Sequence, residues 1–515
     1  MHFHRTLLIL SFFMAHVNVQ SQVKMDVKTA NEKLYRPAFH FTPKQGWMND
    51  PNGMVYLNGQ YHLFFQHYPD GTVWGPMHWG HATSSDLVQW KEQPIALYPD
   101  SIGMIFSGSA VLDKNNTSGL GRGGIAPLVA IFTQHYMPGE KAGRTDFQNQ
   151  SIAYSLDEGK TWTKYAGNPV LKTPNIKDFR DPKVIWHEPT QKWIMNLAVA
   201  DHIEFYSSPN LINWRKESEI GKNLFAHGGV WECPDLLHIN KNGKTIWVLL
   251  VSMNPGGPNG GSATQYIVGD FDGHAFKPYS TDIKWMDYGP DNYAGVTFSN
   301  VGERNILIGW MSNWNYANVV PTEKWRSAMT VPRELSLIVQ PSYKNGKINL
   351  NSDDIFLVSN PVKELNAKFI KTMSKENFVI ENTYSLSTEK NPIPKRIDLK
   401  AALPNDFEIV FSNNFNEKLI IGYDTAKKQY YIDRSKAGIS NFNEGFAAVA
   451  VAPKFRLRSE LYMYLSIILD KTSVELFVDG GRTVMTVLFF PTHPFTNCVL
   501  QSKTYLGLRS LNLYN

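Results

Sequence analysis

Residues 53–65 of the chain read GMVYLNGQYHLFF, and this stretch decides the class of fold. Two short apolar runs, 54–57 and 61–65, flank the pair Asn58-Gly59. An Asn-Gly pair between such runs is typical of a tight hairpin, because both residues tolerate the positive φ angles that the turn requires. The stretch therefore predicts two antiparallel β-strands joined by a short turn.

The same texture continues from about Phe39 to Leu337 as short apolar or alternating runs separated by turn residues. Amphipathic helical periodicity is absent there, which favours antiparallel sheet. Three similar segments end in Trp90, Trp162 and Trp214, spaced by 72 and 52 residues, near the spacing of four-stranded propeller blades. We interpret these segments as structural turns. About 300 residues at roughly 60 per blade predict a five-bladed β-propeller.

The pattern changes after the propeller region, where a polar, Asn-rich stretch is typical of a linker. Alternating segments such as 407–411 and 473–478 then predict a second antiparallel unit, which we interpret as a β-sandwich. The chain is therefore predicted to be all-β. Its predicted parts are a propeller at 35–340, a linker at 341–359 and a sandwich at 360–515.

Composition excludes several classes of function. Hydrophobic residues make up 43% of the 515 residues, charged residues 19%, and the net charge is +5. Lys and Arg are scattered, so the chain lacks the basic patch of a nucleic-acid-binding protein, and a neutral or weakly charged substrate fits better. Only Cys233 and Cys498 occur, which excludes a disulfide scaffold.

The N-terminal residues 1–22 resemble a secretory signal peptide. Arg5 precedes the apolar run 7–17, which is followed by the polar segment 18–21. The apolar run is too short to span a bilayer, and no later stretch approaches the roughly 20 apolar residues of a membrane helix. We therefore expect a secreted, periplasmic or cell-surface protein without a membrane span.

Three short segments place a carboxylate among aromatic, Arg or Pro neighbours, at Asp50, Asp181 and Glu232. Pro after Asp50 restricts its backbone to extended geometry. Arg180 is expected to keep its neighbour Asp181 ionised, and the apolar residues around Glu232 are expected to raise its pKa. Glycoside hydrolysis needs one ionised carboxylate and one protonated carboxylic acid. Each segment alone is more often a turn or strand end, but their coincidence on a β-rich chain favours this chemistry.

The motifs resemble those of glycoside hydrolase family 32, the invertase, levanase and exo-inulinase group. The signature WMNDPNG stands at 47–53, RDP at 180–182 and EC at 232–233. The resemblance extends from about Tyr35 to the C-terminus and includes further family segments. They lie at 64–66, 74–75, 79–84, 106–109, 291–294 and 310–314.

The resemblance implies a propeller whose axial funnel holds the active site, followed by a sandwich. It implies that Asp50 is the nucleophile, that Glu232 is the general acid/base and that Asp181 stabilises the transition state by binding ring hydroxyls. It also assigns Cys233 a role in tuning the surroundings of Glu232. Such an enzyme retains configuration and releases terminal fructose from levan, inulin or sucrose without a cofactor.

A small neutral sugar would be held by further residues around these three. Expected hydrogen-bonding residues are Asn49, Gln66, Ser107, Arg180 and Asp291, and expected walls are Trp47, Trp74, Phe106, Tyr293 and Trp314. No metal site is expected, because His78 and His81 would point to opposite faces of a strand.

Two alternatives stay open at this point. A fructosyltransferase would use the same covalent intermediate with a sugar as acceptor, and a noncatalytic propeller would bind carbohydrate in the same aromatic pocket. The preference among sucrose, inulin and levan and the oligomeric state are also open.

Overall fold

The computed structural model describes residues 32–241, 243–339, 342–344, 347–349, 355–388, 392–402, 405–455 and 461–515. The signal peptide predicted at 1–22 lies outside these ranges. Within them, no helix combines the length and apolarity that crossing a bilayer requires.

The N-terminal domain consists of five antiparallel sheets of at least four strands each. From the innermost strand outward, they are β1–β4 (Gly46–Leu57, Gln60–Tyr68, His78–Ser84, Lys91–Leu97), β5–β8 (Met104–Leu112, Leu128–His135, Gln148–Ser155, Thr163–Lys164), β9–β12 (Phe179–His187, Lys192–Val199, His202–Ser208, Arg215–Ile220), β13–β16 (Val230–Lys241, Lys244–Asn254, Ala263–Phe271, Phe276–Pro278) and β17, β18, β21 and β24 (Tyr293–Thr297, Ile306–Met311, Arg333–Val339, Ile355–Pro361). The innermost strands β1, β5, β9, β13 and β17 contact one another in a closed ring. The predicted five-bladed propeller is confirmed.

Short elements complete this domain. Strand β19 (Trp325–Arg326) runs parallel to β1, and β20 (Ala328–Met329) pairs with β18. Strands β22 (Ser342–Lys344) and β23 (Lys347–Asn349) form a hairpin. A short helix, α1 (Met137–Lys141), follows β6, and 3-10 turns lie at Glu188–Thr190 and Lys363–Lys368.

The turns predicted from the sequence are present. Asn58 and Gly59 join β1 to β2 with φ angles of 46° and 85°, as a two-residue hairpin of the type I′ class requires. In each of the three repeated segments, the Trp90, Trp162 or Trp214 indole N–H donates to the carbonyl oxygen three residues earlier, at 3.0–3.2 Å. These tryptophans therefore close turns, as interpreted.

The C-terminal domain contains strands β25–β34. Their bounds are Lys371–Ser385, Arg396–Ala402, Phe407–Ser412, Lys418–Asp424, Gln429–Lys436, Ala450–Pro453, Tyr462–Leu469, Ser473–Val478, Thr483–Leu488 and Asn497–Tyr514. The long strand β34 pairs with β25 along one edge and with β27 and then β26 along the other. Strands β25 to β34 all bury apolar side chains in one shared core, which makes the domain a β-sandwich.

The segment predicted as a linker, 341–359, contains structure that belongs to the propeller. Strand β24 pairs with β21 along its whole length, so Val339 faces Ile355 and Arg333 faces Pro361. The fifth blade thus gains its outer strand from residues beyond the predicted end of the domain. The sequence pattern does not predict β24, because this strand follows a polar segment.

Buried charges connect the two domains. Arg333 of β21 donates to Asp287 at 2.8 Å and also to Glu475 of β32, and its side chain is fully buried. His40 contacts Glu475 through Nε2 and Asp470 through Nδ1, both at 2.8 Å. Each buried charge thus has an opposite partner, without which it would strongly destabilise the fold.

His40 makes the stability of this interface depend on pH. Burial by itself lowers its pKa, but the two carboxylates outweigh burial and raise the pKa to about 9. A group whose pKa rises on folding stabilises the protein fully below its unfolded pKa of about 6.5, and this contribution is lost as pH rises through about 9. We expect the free energy of unfolding to fall by on the order of 3 kcal/mol over that range. Denaturant titrations of wild type and His40→Gln between pH 6 and 9.5 test this, and an equal pH dependence in both proteins would contradict it.

Candidate active site

Each of the five innermost strands carries a β-bulge near its N-terminal end. In every case two residues lie opposite one residue of the neighbouring strand. The two consecutive residues that form each bulge are Asn49-Asp50, Phe106-Ser107, Asp181-Pro182, Cys233-Pro234 and Ala294-Gly295. Bulges re-aim side chains, and they accommodate Pro, which cannot donate a ladder hydrogen bond. The motifs predicted from the sequence are therefore bulges at one end of the propeller axis.

A cavity of about 250 Å³ opens at this end of the axis. It is lined by Asn49, Asp50, Gln66, Trp74, Phe106, Ser107, His135, Glu140, Gln148, Lys177, Asp178, Arg180, Asp181, Glu232 and Trp314. Pockets for drug-sized ligands measure about 300–1,000 Å³, so this cavity suits one small sugar unit. A larger cavity of about 710 Å³ lies in the sandwich, away from all three predicted catalytic residues.

The two carboxylate oxygens of Asp50, a residue that lines the cavity, differ in their hydrogen bonding. Ser107 Oγ donates to Asp50 Oδ2 at 3.3 Å. Asp50 Oδ1 is buried and accepts no hydrogen bond from the described residues, and Gln66 Nε2 likewise donates none.

The Cys233 thiol lies between two carboxylates. Its Sγ is 3.7 Å from Asp50 Oδ2 and 3.6 Å from Asp181 Oδ2, and its backbone N–H donates to the same Asp181 oxygen at 3.0 Å. The family resemblance assigned this residue to the surroundings of Glu232. The bulge turns it instead, with a φ of 45°, toward Asp50 and Asp181.

The electrostatics of the cavity raise the pKa of two of its acids, Asp50 and Asp181. Burial, followed by the negative charges of Glu232 and Asp181, raises the pKa of Asp50 to about 7. The pKa of Asp181 is also raised, because burial outweighs the attraction of Arg180. Arg180 does favour the ionised form of Asp181, as predicted, but it is not a hydrogen-bond partner of Asp181: its guanidinium donates to Glu232 and Asp178, while Asp181 accepts from Cys233.

Hydrogen-bond donors hold both oxygens of Glu232. Arg180 donates to Oε1 through Nε at 3.2 Å and through Nη2 at 3.1 Å, and the Tyr293 hydroxyl donates to Oε2. The apolar surroundings expected from Trp231 are absent, since its indole points into the core and donates to Ala226 O. Strand alternation sends neighbouring side chains to opposite faces, which explains this error.

Three predicted substrate residues, Trp47, Tyr293 and Asp291, do not line the cavity. Trp47 is fully buried behind Trp314, with ring centroids 5.9 Å apart, and donates to Asn49 Oδ1 at 2.7 Å. Tyr293 lies behind Glu232 and is also fully buried. Both therefore support cavity residues instead of forming its wall.

Asp291 lies at the interface between the two domains. Its carboxylate accepts from Arg434 Nη1 at 2.8 Å, from the Tyr316 hydroxyl at 2.5 Å and from Leu488 N at 2.9 Å. The expectation that it binds substrate is corrected, because its acceptor oxygens are occupied by the sandwich domain and by Tyr316.

Five cavity residues were not foreseen: His135, Glu140, Gln148, Lys177 and Asp178. The His135 ring stacks on Phe106 with centroids 4.4 Å apart, and it contacts Gln148 and Glu140 at 3.1 and 3.0 Å. Lys177 and Asp178 adjoin the motif at 179–182, which could have indicated them. The other three lie in the second blade without any recognisable pattern.

Comparisons with known proteins agree with this geometry. The model of the glycosyl hydrolases family 32 N-terminal domain matches residues 40–351, and that of the family 32 C terminal matches 364–515. A levanase from Bacillus subtilis is 45% identical over 473 residues, covering 89% of this chain and 66% of the levanase. This chain thus spans just under two thirds of that relative. An extracellular exo-inulinase from Aspergillus niger is 41% identical over 513 residues, covering 92% of each chain. The crystal structure of exo-inulinase from Aspergillus awamori matches with a TM-score of 0.82 at 38% identity, covering 93% of this chain and 98% of that one.

Proposed function

Because the chain belongs to glycosyl hydrolase family 32, we propose that it is a retaining, exo-acting β-fructosidase releasing terminal β-D-fructose from levan, inulin or sucrose. The observation that carries the proposal is the set of three acids, Asp50, Asp181 and Glu232, at one cavity the size of a single sugar unit. A cavity of this size at the end of the propeller axis accommodates one terminal sugar unit, which favours exo action.

The proposed first step forms a covalent fructosyl-enzyme. The Asp50 carboxylate, which lines the cavity, attacks the anomeric carbon while the glycosidic bond breaks. Glu232 donates its proton to the departing oxygen. In the second step Glu232 takes a proton from water, whose oxygen displaces Asp50 and releases fructose. Two inversions give net retention.

The surrounding residues have distinct proposed roles. Arg180 and Tyr293 orient Glu232 by holding its two oxygens. Asp181 and Gln66 bind sugar hydroxyls, while Trp74 and Trp314 wall the cavity together with Phe106. Asn49 and Ser107 complete the polar lining. Such positioning converts binding into correct alignment of the reacting atoms.

The raised pKa of Asp50 predicts the pH dependence of catalysis. The nucleophile attacks only when ionised, so kcat/KM should fall as pH falls through about 7, the pKa of Asp50. Removing the nearby negative charge in Asp181→Asn should lower that pKa and move the acid limb to lower pH, although the rate also falls. Asp178→Asn, at the same cavity but not among the groups that raise the pKa of Asp50, is the control. A limb that stays in place in Asp181→Asn would contradict the assignment.

Parallel assays on sucrose, inulin and levan test the proposed function. Fructose should appear as the sole early product from the polymers, and retention should be visible in the first-formed anomer. Trisaccharides and longer products from concentrated sucrose would favour the fructosyltransferase. Binding without any released fructose would favour the noncatalytic propeller.

Export is the second part of the proposal. Several relatives are named extracellular exo-inulinases, and residues 1–22 have the composition of a signal peptide. N-terminal sequencing of protein recovered from the culture medium should show that this segment is absent. Intact residue Met1 in exported protein would refute cleavage.

A further inference from the structure

A cluster of two acids, a histidine and a lysine lies in the outer half of the third blade. Glu204 of β11 and Glu219 of β12 are direct cross-strand partners. His202 precedes Glu204 by two residues and therefore shares its face of the strand. The side chains of His202 and Glu204 are only 7% and 5% exposed. The cluster is separate from the catalytic cavity, whose lining includes none of these residues.

His202 has hydrogen-bonding capacity that the described residues do not use. Neither of its buried ring nitrogens makes a hydrogen bond to them, and Nδ1 lies 3.6 Å from Asp201 Oδ1. Its Nε2 points between the two acids, 3.6 Å from Glu204 Oε1 and 3.9 Å from Glu219 Oε2. Burying a polar group without a partner is unfavourable, so a ligand at this point would recover free energy.

In both acids, Glu204 and Glu219, the second carboxylate oxygen already accepts a hydrogen bond from another side chain. The Tyr206 hydroxyl donates to Glu204 Oε2 at 2.5 Å, and Lys222 Nζ donates to Glu219 Oε1 at 2.5 Å. Such outer contacts orient metal-binding carboxylates in proteins. They leave Glu204 Oε1 and Glu219 Oε2 facing the His202 ring.

Lys216 marks the position of a cation between these atoms. Its Nζ lies 2.5 Å from Glu204 Oε1 and 2.8 Å from Glu219 Oε2, while its side chain is 43% exposed. The side chain of Lys216 can turn outward into water, provided that the incoming cation replaces its charge beside Glu204 and Glu219. The point that its ammonium occupies would then be open to another cation.

We propose that His202, Glu204 and Glu219 bind a divalent transition-metal ion of the Zn²⁺ class in place of the Lys216 ammonium. One ligand atom from each residue lies within 4.8 Å of the others. Zn²⁺ binds imidazole nitrogen and carboxylate oxygen at about 2.0–2.2 Å, so the three side chains need to close by only a small amount. The imidazole disfavours Ca²⁺ and Mg²⁺, which prefer oxygen ligands. The ion ties β11 to β12 and stabilises the third blade.

Titration calorimetry with Zn²⁺ on the full-length wild-type protein tests the proposal. We expect one site per chain and a higher melting temperature with Zn²⁺ but not with Mg²⁺. Lys216→Met removes the competing ammonium and should tighten binding at least about tenfold. Glu219→Gln and His202→Gln should each weaken it by at least about tenfold, in the range of lost metal contacts.

His274→Ala is the matched control, because His274, in the turn between β15 and β16 of the fourth blade, is half exposed and pairs with another acid of β12, Glu217. It should bind Zn²⁺ as the wild type does. Glu219 is partly exposed, so Glu219→Gln is expected to fold even if His202→Gln does not. Unchanged Zn²⁺ affinity in Glu219→Gln, weaker binding in Lys216→Met or loss of binding in His274→Ala would each overturn the proposal.

Discussion

Replacing Asp50 by asparagine should abolish turnover on sucrose, inulin and levan, with kcat lowered about 10⁴-fold or more. Losing a nucleophile removes the covalent pathway itself, and such losses reach this size in other enzymes that form covalent intermediates. The amide keeps the shape and the Ser107 contact of the carboxylate, so substrate binding should survive. Steady-state rates and a binding measurement on the same preparation separate the two effects.

Asp50→Asn should also be at least as stable as the wild type. Burial, followed by repulsion from Glu232 and Asp181, raises the pKa of the Asp50 carboxyl to about 7. Above that pH the ionised group destabilises the fold, so a neutral amide relieves the repulsion. A thermal melt at pH 8 checks this prediction. A large loss of stability would mean that the lost activity reports unfolding.

Asp50→Ala offers an independent check on the same role. Removing the side chain leaves room for a small anion beside the anomeric carbon. Azide should then restore part of the turnover and yield a product of inverted configuration, because only one displacement occurs. Substantial activity of Asp50→Ala without azide would refute the nucleophile assignment.

Replacing Glu232 by glutamine should have an effect that depends on the leaving group. With sucrose, whose departing oxygen needs a proton, kcat should fall by about 10²–10⁴-fold, the usual contribution of general acid catalysis. With fructosyl fluoride, whose fluoride leaves without protonation, the first step should persist. The second step lacks its general base, so a fructosyl-enzyme should accumulate.

Mass spectrometry of Glu232→Gln after exposure to fructosyl fluoride detects that intermediate. The modified residue should be Asp50. Tyr293→Phe is the matched control, because it removes a hydrogen bond to Glu232 but keeps the acid. It should lower the rate on both substrates far less. Equal losses on both substrates in Glu232→Gln, or labelling of a different residue, would contradict the acid/base role.

The sequence by itself indicated the five-bladed architecture and the candidate catalytic acids. Asn58-Gly59 and the repeated tryptophan turns act through local backbone preferences, which short segments express wherever they stand. The motifs around Asp50, Asp181 and Glu232 could likewise be recognised, because each places a carboxylate within two residues of a proline.

Tertiary structure alone decided which side chains meet. Arg180 pairs with Glu232, 52 residues away, and Asp291 with Arg434, 143 residues away. Closing the ring of blades and docking the sandwich create these contacts, and a single bulge reverses the direction of every following side chain. His135 and Glu140 reach the cavity for the same reason. Local pattern carries no information about such distant partners, so the wall of the cavity became known only from the folded chain.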